Sequence, residues 1–134
     1  MSKENVAVIR GIYDGFAAGD VAAVLGRMSP DIVWMEAENF PYADGNPYIG
    51  PQAVAQGVFA RCVGEWNRFT ATAEEFLDAG DVIVATGRYG GACKATGKPI
   101  HVQFAHVWRL KDGKAVRFQQ YADTLQIARA MSAA

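Results

Sequence analysis

The stretch KPIHVQFAHVWRLKDGKAVRFQQYADT, residues 98–124, decides the fold. Val102, Phe104, Trp108 and Leu110 recur at even positions while His101, Gln103 and Arg109 take the other side, and Lys111-Asp112-Gly113 breaks the alternation with a tight turn. This is an antiparallel hairpin. Upstream, FTATAEEFLDAGDVIVATGRYGG (residues 69–91) gives two more strands around Asp78-Ala79-Gly80-Asp81. Four consecutive antiparallel strands therefore fill the second half of the chain.

The first half has a different period. Val6, Ile9, Tyr13 and Phe16 are spaced as one helix face over residues 3–18, and Gly19 stops the pattern. Asp20 is the N-cap of a second, short helix with Val21, Val24, Leu25 and Met28 as its stripe, ended by Ser29-Pro30. DIVWMEAE (residues 31–38) alternates as a strand, and FPYADGNPYIGP (40–51) is a loop. Pro51 opens a third helix over 51–66 in which Val54, Val58 and Cys62 share a face bordered by Phe59 and Trp66, although Gly57 and Gly64 weaken it. A short helix over 125–130 ends the chain, with Asp123 or Thr124 as its N-cap. The order predicts an α+β fold, one domain over residues 1–134, with a strongly curved, mostly antiparallel sheet packed on three N-terminal helices around a cone-shaped pocket. The opposite sheet face must be solvated or paired with another subunit.

Thirteen Lys+Arg against fourteen Asp+Glu give a net charge of −1 with no basic run, which argues against a nucleic-acid partner. No stretch approaches eighteen apolar residues and the N-terminus lacks a signal-peptide core, so no membrane association and a cytoplasmic location are expected. Cys62 and Cys93 form no CxxC pair and read as structural thiols. His101 and His106 lie five apart on a strand, hence on opposite faces, and cannot chelate one ion. No metal or other cofactor is expected.

The segments IYDGFAAGD (12–20), PDIVWMEAE (30–38), YIGPQAV (48–54), TGKPI (96–100) and HVWRLKDGKAVRFQQYAD (106–123) resemble SnoaL-like proteins of the nuclear transport factor 2-like superfamily, which includes ketosteroid isomerases and polyketide cyclases. The resemblance implies the fold more than a reaction, because the superfold hosts isomerases, cyclases, hydrolases, dehydratases and non-catalytic domains. It places Glu36 where the isomerases carry a proton-shuttling carboxylate and His106 where they carry an acidic oxyanion donor. The isomerase oxyanion tyrosine falls on Ile12, one residue from Tyr13. Asp123 matches the terminal-strand acid/base of the cyclases.

Each of these candidates also has a plainer reading. Glu36 shares a strand face with Ile32 and Trp34; if that face lines the pocket, desolvation raises its pKa toward a value suited to acid/base work, and if Val33 and Met35 point inward it is solvated. His106 points inward, either as a donor to a developing oxyanion or as a core histidine with one hydrogen bond. Beside a buried Glu36 it would titrate as half of a coupled pair. Asp123 faces outward unless a bulge between 117 and 121 reverses it, and is otherwise a helix N-cap. Tyr13 is a second donor or a packed core residue. Trp34, Phe59, Trp66, Phe104, Trp108 and Tyr121 are the candidate ligand-binding aromatics.

Two functions follow. One is a cofactor-independent acid/base enzyme, of isomerase, cyclase or dehydratase type, acting on a small apolar carbonyl-containing molecule. The other is a non-catalytic binding or dimerisation domain whose cone is filled by Trp34, Phe59 and Trp108. Either is expected as a homodimer through the outer sheet face, because Ala85, Gly87 and Ala105 are read as small residues on one flat face.

Overall fold

The computed structural model describes residues 2–133. Helix α1 (Ser2–Ala18) and helix α2 (Val21–Leu25) meet at Gly19, whose φ of 69° makes the corner. Asp20 caps α2 by accepting a hydrogen bond from the Ala23 amide at 3.0 Å. Strand β1 (Met28–Met35) starts earlier than its alternation implies, so Met28 is a buried strand residue and not the end of a helical stripe. The 40–51 segment is more ordered than a plain loop, with a 3₁₀ turn at Pro41–Gly45 and strand β2 (Tyr48–Ile49). Helix α3 (51–65) carries a π turn at Ala55–Phe59. Strands β3 (Trp66–Asp78), β4 (Val82–Cys93), β5 (Pro99–Lys111) and β6 (Lys114–Ala122) follow, and helix α4 (Thr124–Met131) ends the fold.

The six strands form one sheet in the order β2-β1-β6-β5-β4-β3. All neighbours are antiparallel except β1 and β6, which run parallel with Trp34 beside Phe118 and Met35 beside Gln119. Helices α1 to α3 cover the inner face. Among the described residues no helix is long and apolar enough to cross a membrane.

Two register shifts between β3 and β4, at Asn67/Thr70 and Ala73/Glu75, bend the sheet. At the second, the backbone of β3 approaches so closely that a Cβ on Gly87 would lie 1.9 Å from the Thr72 carbonyl oxygen. Gly87 and Ala85 are buried and face inward, opposite Phe104 and His106, whereas Ala105 faces outward opposite Thr86. The three small residues thus do not share a face. Two of them make room inside for a phenyl and an imidazole ring. The glycine inside α3 has a similar explanation: a Cβ on Gly57 would sit 2.2 Å from the Tyr48 ring.

Gly87→Ala should therefore cost about 1–3 kcal/mol by forcing β3 away from β4. Urea denaturation measures this, and a variant as stable as the parent would show that the strands can separate freely.

Candidate active site

Glu36 follows the last residue of β1 and its side chain is 3% exposed. Its backbone is held on both sides. Asn46 accepts from the Glu36 amide at 2.9 Å and donates to the Glu36 carbonyl at 2.8 Å, while Gln120 accepts from the Ala37 amide at 3.0 Å. The carboxylate accepts one hydrogen bond at 3.0 Å, from the indole Nε1 of Trp34. Burial pushes the carboxyl up to about 7, partly offset by that donor and by the charge of Arg61.

The carboxyl opens into a cavity of about 830 Å³ whose walls include Trp34, Phe59, Trp66, Trp108 and Phe118. These rings line the space without filling it. The π turn brings Val58, Phe59 and Cys62 of α3 to the same wall. The exposed side chains of Val21 and Val63, with Arg68 and Lys94, form the rim. Burial, then the charges of Glu36 and Glu65, push the Cys62 thiol up, so it is protonated and a poor nucleophile at neutral pH.

His106 sits deeper, between two tyrosines. Its Nδ1 is 2.5 Å from the Tyr13 hydroxyl and its Nε2 is 2.5 Å from the Tyr89 hydroxyl. Trp108 Nε1 donates to the Tyr13 oxygen at 3.0 Å, and Gln120 Nε2 donates to the Tyr89 oxygen at 2.7 Å. Phe104 stacks on the imidazole with centroids 3.9 Å apart. Burial pushes His106 down to about 3, so the ring is neutral. The expected coupling between an imidazolium and Glu36 is absent for this reason.

The sequence candidates therefore separate. Glu36 and His106 both line the cavity, with Trp34, Phe59, Trp66 and Trp108. Tyr13 and Phe104 lie behind His106, outside the lining, because the tyrosine hydroxyl is taken up by Trp108 and the imidazole. Asp123 is exposed and caps α4, accepting from the Gln126 amide at 3.2 Å. The register shift in β6 falls at 115–117 and not at 117–121, so nothing turns Asp123 inward. Tyr121 is 57% exposed on the outer face, one position out of phase with buried Gln120. Tyr89, Gln120 and Asn46 were not among the candidates. Only the inward phase of Tyr89 in β4 could have signalled one of them. Among the described residues no cluster of His, Cys, Asp or Glu could hold a metal ion.

A curved sheet wrapped on three helices around a cavity is the architecture this chain shares with nuclear transport factor 2-like proteins. The chain belongs to the SnoaL-like domain family, whose profile matches residues 9–118. An NTF2-like protein of Burkholderia thailandensis is 35% identical over 96% of this chain and 97% of its own, with a TM-score of 0.91. An NTF2-like protein of unknown function from Burkholderia pseudomallei is 26% identical over 96% and 98%, with a TM-score of 0.87. TerC, crystallised with polyporic acid, is 26% identical over 95% and 97%, with a TM-score of 0.85. No curated protein sequence matches the chain.

The two buried titratable groups make opposite contributions to stability. Glu36 is raised from 4.5 to about 7, so the stability present below pH 4.5 is lost as pH rises through 7. His106 is lowered from 6.5 to about 3, so the stability present above pH 6.5 is lost as pH falls toward 3. Between 4.5 and 6.5 the folded state holds one proton on Glu36 and the unfolded state one on His106, and the two slopes cancel. Glu36→Gln should match the parent near pH 4 and exceed it by about 3 kcal/mol at pH 8, a gap in Tm of about 10 °C. A gap that is constant from pH 4 to 8 in thermal melts would show that Glu36 titrates like an exposed carboxylate.

Proposed function

We propose that the protein is a cofactor-independent acid/base enzyme, of isomerase, cyclase or dehydratase type, acting on a small apolar carbonyl-containing molecule in the cavity. The observation that carries this reading is Glu36: a buried carboxyl whose pKa is near neutrality, facing an aromatic cavity, with an indole N–H as its one hydrogen-bond donor. A group of that kind takes a proton from carbon next to a carbonyl and returns it elsewhere without a large free-energy penalty in either direction. The aromatic walls suit a flat, ring-containing substrate, and the co-crystallisation of TerC with polyporic acid supports that class of ligand.

In this proposal Glu36 is the catalytic group, with the walls of Trp34, Phe59, Trp66 and Trp108 binding the substrate. A panel of steroids, polyketide-like phenols and lactones should give thermal shifts, and proton exchange or turnover on any accepted member should fall by about 10²–10⁴ in Glu36→Gln with the fold retained. Asp123→Asn should leave turnover unchanged. If Glu36→Gln turns over every accepted molecule as the parent does, the protein is a binding domain of this fold.

We also propose that two copies pair through the outer sheet face, where Tyr121 on β6 presents an exposed ring beside half-buried Ala105 on β5. Light scattering should give twice 14.5 kDa at micromolar concentration; a mass of 14.5 kDa overturns the pairing.

A further inference from the structure

The hydrogen bonds around His106 have a direction that the proton inventory fixes. Trp108 Nε1 can only donate, so the Tyr13 oxygen accepts from it. Gln120 Oε1 accepts from the Ala37 amide, so its Nε2 faces Tyr89 and donates. Both ends of the chain therefore feed donors inward. Between them lie two hydroxyl protons and the single N–H of a neutral imidazole, but there are only two contacts, Tyr13 with Nδ1 and Nε2 with Tyr89. One proton is left over.

It belongs to one of the two tyrosines. If Nδ1 carries the ring proton, Tyr89 donates to Nε2, Tyr13 accepts twice, and its own O–H has no acceptor among the described residues, since the hydroxyl's partners are Trp108 Nε1 and the imidazole. A buried hydroxyl with no acceptor is costly. If Nε2 carries the proton, Tyr13 donates to Nδ1, the ring donates to Tyr89, and the O–H of Tyr89 is the surplus donor. Tyr89 and Gln120 line the cavity, and Tyr13 does not. Of the two tyrosines, Tyr89 is the one that borders the cavity in which an acceptor could be bound.

We propose that Trp108, Tyr13, His106 and Tyr89 form a one-way chain of hydrogen bonds that ends in the cavity, where the Tyr89 hydroxyl donates to an oxygen of the bound molecule. Tyr89 is then the residue that touches the ligand, and His106 and Tyr13 are positioning residues that hold its proton outward. The ligand this fits has a flat apolar body and a carbonyl or phenolic oxygen at its inner end. Treating that oxygen as the atom that gains charge during proton transfer rests on the acid/base reading of Glu36; the direction of the chain does not. Such a donor is most effective toward an oxygen that becomes negative, since the hydrogen bond then strengthens as charge develops.

Nitrogen-15 spectra of histidine-labelled protein at pH 7 read the ring directly, with His101→Gln separating the two histidine signals. His106 should be the neutral Nε2–H tautomer. 4-Nitrophenol, an aromatic ring with one oxygen end, is the binding probe, and Tyr89→Phe should weaken it about tenfold. An Nδ1–H tautomer, a protonated ring, or equal affinity of parent and Tyr89→Phe, absence of binding by both included, overturns the proposal. Glu36→Gln keeps the two readings apart: it should leave the tautomer and the dependence on Tyr89 in place even if its own turnover shows that Glu36 transfers no proton.

Discussion

The parallel pairing of β1 with β6 is the contact on which the site depends. It joins the first strand of the chain to the last, and by setting Trp34 beside Phe118 and Met35 beside Gln119 it carries Glu36 to the level of Gln120. Gln120 then holds the Ala37 amide with its oxygen and the Tyr89 hydroxyl with its nitrogen. One amide side chain thus ties the carboxyl-bearing end of β1 to the hydroxyl on β4, across β6 and β5. A slip of one residue along β6 would put Gln119 or Tyr121 in that place and break both bonds.

Among the described residues, polar groups inside the cone are satisfied without ion pairs. His106 is bracketed by two hydroxyls and stays neutral, and the indoles of Trp34 and Trp108 act as donors. The ion pair at 2.8 Å between Arg61 and Asp44 is on the outside of α3, where such a pair contributes little. Among the described residues that line the cavity, Glu36 is consequently the buried group that gains or loses a charge near neutral pH, while Arg68 and Lys94 hold their charges at the rim. Mutual neutralisation would have been simpler to fold but would leave no group to titrate near neutrality.

Much of the fold was legible from changes of period, helical over residues 3–18 and 51–66 and alternating over 31–38 and after 69, with Asp112-Gly113 fixing one hairpin. Ile32, Trp34 and Glu36 on one strand face and the inward phase of His106 were legible for the same reason. The roles of Ala85 and Gly87 were not, because a small residue reads alike whether it flattens an outer surface or clears space for an inner ring. Tyr89 was hidden in the same way: its importance comes from His106, which is seventeen residues away and meets it only through the β4–β5 register. Asp123 shows the reverse case, a residue whose family position suggested chemistry while its local sequence also provided the N-cap for α4, which is where its side chain is engaged.

The π turn at Ala55–Phe59 sets how this pocket can change over evolutionary time. A π turn is the trace of one inserted residue in an otherwise regular helix. Deleting one position there restores α geometry while the flanking segments Pro51–Val54 and Ala60–Glu65 keep their facing, because the wide turn alone takes up the extra residue. Cys62 would stay on the wall, and the change would fall on the part of the wall made by Val58 and Phe59, with no alteration to any strand. Lineages can therefore remodel one side of the cavity by insertion or deletion in a single helix, while the sheet that holds the carboxyl and the tyrosine stays as it is.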